Sequence, residues 1–344
     1  MKKIFLLLLI APLISFGQKE YAEEARLMFA EANFAYNKGN LTDAFALYEK
    51  CIGIEPQYAE AFVNMSFIKF DSKDYNKALD YALKAHSIEK VQHSIFSALG
   101  KSYYMVGDYD SAATYLAKIE YFDDLTEVEE YFLAASNVKL NNFSAAKPLA
   151  KKLYTNRPSN SDYAALKGNV MYGYGEYEQA MELYKKALDL NPDNVYIYSN
   201  IAKACLQLNQ NDKALEYINK GVEIATGEGK VTFLILKGNY FHSIGELDNA
   251  EKAYDEAYKI DNSNTNILVN QAGILIDKED YQSALEKCNM AIEKNSELME
   301  AYFNRGIANE MLRNIEDACS DWEEAFILGS EKAEKFLNSS TCNE

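Results

Sequence analysis

The sequence predicts an all-α protein, an α-solenoid of nine 34-residue helix-turn-helix repeats that ends in a capping helix. Two series of small residues recur with a 34-residue period along almost the whole chain, and a period of this length is typical of solenoids built from one repeated unit. The composition agrees, because only five prolines and 16 glycines in 344 residues favour helices over the many tight turns of an all-β fold.

The first residues predict a targeting segment. Lys2 and Lys3 precede an apolar run over residues 4–14, and Ser15 and Gly17 supply small residues before a cleavage point at Gln18. We therefore expect residues 1–17 to be a signal peptide and 18–24 a short lead-in. Export would place the protein in the periplasm, at the outer membrane or outside the cell. We expect no transmembrane segment, because no later run reaches the 18 apolar residues that a membrane helix needs.

The repeats are defined by one alanine in each. After an interval of 36 residues between the sixth and seventh alanines, the spacing of 34 resumes, and the two extra residues fall near Gly227 and Gly229. The nine alanines, at place 20 of a frame numbered from Ala25, are Ala44, Ala78, Ala112, Ala146, Ala180, Ala214, Ala250, Ala284 and Ala318. The repeats then fill residues 25–332 and begin at Ala25, Ala59, His93, Glu127, Ser161, Val195, Val231, Thr265 and Met299.

Each repeat reads as a helical hairpin. Place 8 is always small, and small residues on two successive helices let their backbones approach closely where they cross. The turn between the helices carries a glycine or asparagine at place 15 in six repeats, which predicts a left-handed residue at the end of the first helix. These six are Gly39, Gly107, Asn141, Gly175, Asn209 and Gly245.

This pattern resembles the tetratricopeptide repeat, whose 34-residue units carry small residues at places 8 and 20, an aromatic at place 24 and proline at place 32. The fifth repeat fits almost throughout, as "KGNVMYGYGEYEQAMELYKKALDLNPDN" from Lys167 to Asn194. The resemblance implies a right-handed solenoid whose concave face, lined by the first helices, holds a protein or peptide partner.

The end of the chain predicts a cap. We expect a capping helix over residues 331–338, on which Ala333, Phe336 and Leu337 form one apolar stripe. Such a helix covers the core at the exposed end of a solenoid. A short tail follows it to residue 344. Antiparallel packing of this segment on the last repeat would bring Cys319 and Cys342 to similar heights. The sequence leaves two alternatives here, a disulfide between them or two free thiols.

Several classes of function are excluded by the sequence. A net charge of −17 repels nucleic acid. The three histidines His86, His93 and His242 lie in different repeats without cysteine or carboxylate partners at metal-ligand spacing, so we expect no metal site. No phosphate-binding loop or nucleophile motif is present, so we expect neither an enzyme nor a cofactor.

Asparagines of the first helices are the sharpest candidates for a binding site. They occur in pairs 31 residues apart, at place 9 of one repeat and place 6 of the next, and we expect them to project into an empty groove. A row of amides can hold the backbone of an extended peptide, although the same amides could instead tie one repeat to the next. The candidate peptide-binding residues are Asn33, Asn64, Asn169, Asn200, Asn239, Asn270 and Asn304.

The sequence is compatible with two functions. The first is an exported, non-enzymatic scaffold that holds a protein or an extended peptide segment in its concave groove, within an envelope assembly or secretion system. The second is a receptor for a small ligand or glycan that uses the aromatic residues between Phe29 and Tyr104.

Tetratricopeptide domains that bind a terminal carboxylate use lysine and arginine. The matching places here are uncharged: Phe29, Ser94 and Ala98, then Ala165, Thr232 and Leu236.

Overall fold

The computed structural model describes residues 21–121, 124–338 and 342, and among these there are nineteen α-helices and no strand. The predicted signal peptide lies outside the described residues. The helices, numbered in chain order, are α1 (Glu23–Asn37), α2 (Leu41–Ile54), α3 (Ala59–Asp71), α4 (Tyr75–Ile88), α5 (His93–Val106), α6 (Tyr109–Ala117), α7 (Glu127–Lys139), α8 (Phe143–Asn156), α9 (Ser161–Gly173), α10 (Tyr177–Leu190), α11 (Val195–Gln207), α12 (Asn211–Ile224), α13 (Gly227–Ser243), α14 (Leu247–Ile260), α15 (Thr265–Asp277), α16 (Tyr281–Lys294), α17 (Met299–Met311), α18 (Ile315–Ile327) and α19 (Glu331–Leu337).

The predicted fold class is confirmed: the chain is an α-solenoid of helix-turn-helix repeats. Odd-numbered helices from α1 to α17 are the first helices of the hairpins, and even-numbered helices are the second. Seven of the nine first helices begin at the residue where a predicted repeat begins. Helix α13 begins four residues earlier, at Gly227, so the two inserted residues lengthen the start of this helix rather than disturbing the next hairpin.

The chain divides into two compact units, residues 1–149 and 150–344. Unit 1 has a core in which the aromatic and aliphatic side chains of Tyr48, Met65 and Leu99 are fully buried. Unit 2 has cores of the same kind, for example around Tyr254 and Ile267. In each unit, hairpins are therefore stabilised by packing on their neighbours, as expected for repeats that cannot bury their apolar faces alone.

The two helices of a hairpin cross at the small residues of places 8 and 20, and these two places are packed in different ways. All nine alanines at place 20 are fully buried. In the four hairpins with glycine at place 8, this glycine packs against a large side chain at place 24 of the second helix. A Cβ atom added to Gly168 would lie 2.6 Å from the ring of Tyr184, and Gly306 is packed in the same way against Trp322.

The turns of all nine hairpins carry a left-handed residue at place 15, with φ between +55° and +92°. The six glycines and asparagines predicted from sequence all adopt this conformation. The other three positions are occupied by Lys73, Glu279 and Arg313, which sequence reasoning missed because these residue types rarely adopt positive φ. The hairpin geometry imposes the conformation whatever the side chain.

The last hairpin is covered by α19. Its Phe336 ring packs on Trp322 and Phe303, with ring centroids 4.7 and 5.3 Å apart respectively. The side-chain oxygen of Ser330 caps the helix by accepting a hydrogen bond from the backbone N–H of Ala333. The structure pairs Cys319 with Cys342 in a disulfide, with the two Cα atoms 5.7 Å apart, so the segment after α19 is attached to α18.

No helix in the described part of the chain has both the length and the apolar content that crossing a bilayer requires.

Candidate binding groove

A concave pocket of about 500 Å³ lies in unit 2, which we call the C-terminal groove. Helices α13, α15 and α17 supply most of its wall, and the start of α19 closes one end. It is lined by Asn239, His242, Tyr254, Val269, Asn270, Gly273, Met299, Glu300, Phe303, Asn304, Gly329, Ser330, Glu331 and Lys332.

The groove combines an apolar surface with open space above a glycine. Val269 and Phe303 supply the apolar part, and Phe303 is also held by the capping helix through Phe336. A Cβ atom added to Gly273 would meet no atom within 4 Å. The wall at Gly273 is therefore open to a ligand, unlike the tightly packed glycines at place 8.

The predicted asparagines of this groove form a hydrogen-bonded group with a tyrosine. The Tyr254 hydroxyl donates to Oδ1 of Asn239 at 2.6 Å, and Nδ2 of Asn270 lies 3.5 Å from the same oxygen. Asn304 instead donates to the backbone carbonyl of Val269 at 3.3 Å. The amides therefore link a first helix both to its own second helix and to the first helix of the next repeat.

The same group recurs in two other places. In unit 2, Oδ1 of Asn169 accepts from the Tyr184 hydroxyl at 2.9 Å and from Nδ2 of Asn200 at 3.1 Å. In unit 1, Oδ1 of Asn33 accepts from Tyr48 at 2.5 Å and from Asn64 at 3.0 Å. Burial raises the pKa of the Tyr48 hydroxyl to about 12, so the hydroxyl keeps its proton at physiological pH and donates a hydrogen bond to Asn33.

The expectation that the paired amides project freely into an empty groove is wrong. In each pair the oxygen of the first asparagine is occupied by protein donors, which is the repeat-tying alternative. The second asparagine keeps its own side-chain oxygen: within the described residues, Oδ1 of Asn200 and Oδ1 of Asn270 accept no hydrogen bond. One amide oxygen per pair thus remains for a ligand.

Sequence reasoning missed two side-chain pairs near the groove, a histidine–aspartate contact and an arginine–aspartate ion pair. Nε2 of His242 lies 2.5 Å from Oδ2 of Asp277 in the next repeat. Below the groove, the Arg305 guanidinium contacts the buried carboxylate of Asp321 at 2.6 Å. The 35- and 16-residue separations of these pairs have no signature without the repeat register, so only the fold reveals them.

The aromatic residues of unit 1 are largely engaged with one another. Phe29 stacks on Tyr58 with centroids 4.7 Å apart, and Tyr104 meets Phe132 at 5.1 Å. The Lys101 ammonium lies 4.4 Å from the ring centroid of Phe67. These contacts identify Phe29, Tyr104 and Phe67 as packing partners, whereas Phe34 in the same stretch is 67% exposed.

The described residues contain no group of three histidine, cysteine, aspartate or glutamate side chains that could hold a metal ion.

Comparison with known proteins agrees with this architecture. Family profiles described as "Tetratricopeptide repeat" match residues 25–58, 133–195, 171–230 and 231–264. A 22% identical relative, the Stress-induced-phosphoprotein 1 of Caenorhabditis elegans, aligns over 67% of this chain and 72% of its own. The Hsp70-Hsp90 organising protein of Plasmodium falciparum is 32% identical over 42% of this chain, and the chain spans only half of that protein's length.

A solved structure supports the fold independently. A tetratricopeptide repeat protein from Parabacteroides merdae superposes with a TM-score of 0.57 at 14% identity, over 74% of this chain and all of that one. The family profiles confirm tetratricopeptide repeats in the segments that they match, and the likeness to the solved structure confirms the fold.

Proposed function

We propose that the protein is a non-enzymatic scaffold that binds an extended segment of a partner protein in the C-terminal groove. The observation that carries the proposal is the pocket itself, which runs over three successive first helices and offers both apolar surface and unpaired amide acceptors. An extended peptide needs both, because its side chains require apolar contacts and its backbone N–H groups require acceptors.

The relatives support protein binding as the general role. Tetratricopeptide repeats are protein-binding modules, and two of the similar proteins are named for a stress response and for organising Hsp70 and Hsp90. The lysines and arginines that grip a terminal carboxylate are absent from the matching places of this chain. We therefore expect the groove to hold an internal segment rather than a carboxyl terminus.

We infer export from the first 17 residues, with Lys2 and Lys3 followed by the apolar run. The scaffold would then act in an envelope assembly or a secretion system. Amino-terminal sequencing of the protein isolated from its host tests this inference. A chain that begins at Gln18 supports it, and a chain that begins at Met1 in the cytoplasm contradicts it.

The binding proposal is tested by blocking the groove without disturbing the fold. Gly273→Trp places a large ring in the groove from a position where a Cβ meets nothing within 4 Å. Gly53→Trp is the matched control, because Gly53 is also helical and equally unobstructed, but it lies on second helix α2 of unit 1. Both variants should melt close to the wild-type temperature.

Dodecapeptides displayed on phage and selected on the wild-type protein supply the ligand. We expect the enriched peptides to lose at least about tenfold in affinity for Gly273→Trp, equivalent to about 1.4 kcal/mol, and to bind Gly53→Trp normally. Peptides that bind both variants equally would place the binding surface elsewhere and overturn the proposal.

A further inference from the structure

The side chains that face the C-terminal groove carry negative charge. Glu300 lines the groove, and Asp277 lies beside it in contact with the groove residue His242. The groove lining on α13, α15 and α17 includes no lysine or arginine. The capping helix adds Glu331 and one cation, Lys332, at the closed end. The whole chain carries a net charge of −17, so the surroundings reinforce this field rather than cancel it.

Two of these carboxylates are available to a ligand. Glu300 lines the groove, is exposed, and makes no hydrogen bond or ion pair with any described residue. Asp277 uses Oδ2 for His242, while its side chain remains 48% exposed. These two residues lie at opposite ends of their helices, Glu300 in the first turn of α17 and Asp277 at the end of α15, so they flank the apolar surface from both sides.

We propose that the C-terminal groove selects a segment in which lysine or arginine alternates with apolar side chains. The apolar side chains of the bound segment contact Val269 and Phe303, and its cationic side chains pair with Glu300 and Asp277. Charge complementarity of this kind sets partner choice and association rate more than it sets total affinity. This inference rests on the proposed function, since it specifies the partner of the same groove.

Three synthetic dodecapeptides test the proposal. They share a fluorescent label and leucine at alternate positions, and carry lysine, glutamine or glutamate at the same intervening positions. Binding is measured by fluorescence anisotropy on the full protein at low and high salt. We expect the lysine peptide to bind most tightly, the glutamate peptide most weakly, and the preference to shrink as salt screens the charges.

Variants assign the preference to the groove. Glu300→Gln combined with Asp277→Asn should weaken the lysine peptide about threefold to thirtyfold while leaving the glutamine peptide unchanged, as expected for two partly exposed ion pairs. Glu286→Gln removes an exposed carboxylate from second helix α16 and is the control for general surface charge. Glu300→Lys should shift the preference toward the glutamate peptide.

The outcomes separate this inference from the proposed function. If all three peptides bind equally and Gly273→Trp abolishes binding, the groove is the site but charge selection is refuted. If Glu286→Gln weakens the lysine peptide as much as Glu300→Gln with Asp277→Asn does, or if Gly273→Trp binds the lysine peptide as tightly as the wild-type protein does, general attraction to an acidic surface explains the result and the inference fails. A lysine peptide that does not bind the wild-type protein also refutes it.

Discussion

The Tyr184 hydroxyl donates a hydrogen bond to the side-chain oxygen of Asn169 at 2.9 Å, and so joins the two helices of the fifth hairpin. The same oxygen accepts from Asn200 on the first helix of the next hairpin. Burial also raises the pKa of Tyr184 far above its ordinary value, so the hydroxyl keeps its proton. One amide oxygen therefore ties three helices together.

Replacing both asparagines, Asn169→Ala with Asn200→Ala, should lower the free energy of unfolding by about 1–3 kcal/mol. The loss arises because the buried Tyr184 hydroxyl is left without an acceptor. Thermal or urea unfolding measures it, and Asn219→Ala on the exposed face of α12 is the control. Unchanged melting together with lost peptide binding would instead show that these amides act only on the ligand.

Two helical glycines should respond oppositely to alanine. Gly168→Ala forces a Cβ to within 2.6 Å of the Tyr184 ring and should destabilise by about 1–3 kcal/mol. Gly273→Ala has open space and should stabilise by about 0.5–1 kcal/mol, because alanine loses less backbone entropy in a helix. Urea unfolding of the two variants checks the pair, and equal effects would contradict the packing described here.

Glu279 adopts φ of +62° in a hairpin turn and is strained there. Glu279→Gly should raise stability by up to about 1 kcal/mol, since glycine adopts this conformation freely. Glu286→Gly changes the same residue type inside exposed helix α16 and should lower stability by about 1 kcal/mol. A loss of stability in both variants would show that the turn imposes no strain.

The disulfide between Cys319 and Cys342 should stabilise the cap. Closing a chain of this length contributes about 3 kcal/mol by restricting the unfolded state. Reduction should therefore lower the melting temperature of the wild-type protein, and Cys342→Ser should melt at the reduced value with or without reductant. Because residues 329–332 line the C-terminal groove, reduction should also weaken peptide binding. Wild-type melting that does not respond to reductant would contradict the pairing.

Glu129 should make the stability of unit 1 depend on acid pH. Burial by itself raises its pKa, but hydrogen bonds from Ser97, Thr126 and His93 outweigh burial and hold the pKa below its ordinary value. A lowered folded pKa stabilises above the unfolded pKa of about 4.3, and this contribution disappears as pH falls through the folded pKa. Glu129→Gln should therefore destabilise by at least about 1 kcal/mol at pH 7 and much less near pH 3. A difference from wild type that stays constant across this range would contradict the assignment.

The repeat period was visible in the sequence because packing inside each hairpin is local. Place 8 and place 24 lie 16 residues apart in one repeat, and a glycine at place 8 meets a large side chain at place 24 in the third, fifth, seventh and ninth hairpins. The pattern therefore determined the helix pairs, their order and the six turns with glycine or asparagine. The three turns at Lys73, Glu279 and Arg313 lacked the residue signal, because the helices on either side impose the backbone conformation.

The asparagines show the limit of the sequence. Their spacing indicated one face of the solenoid, and this prediction of a shared surface followed from helical periodicity alone. Their role depended on whether a donor came within hydrogen-bond distance, and the tyrosine that provides it belongs to the second helix. The sequence by itself determined which residues share a surface. Only the tertiary structure decided which of their polar atoms are already hydrogen-bonded and which remain for a partner. The reason is that a hydrogen bond depends on the distance between helices, which sequence spacing does not fix.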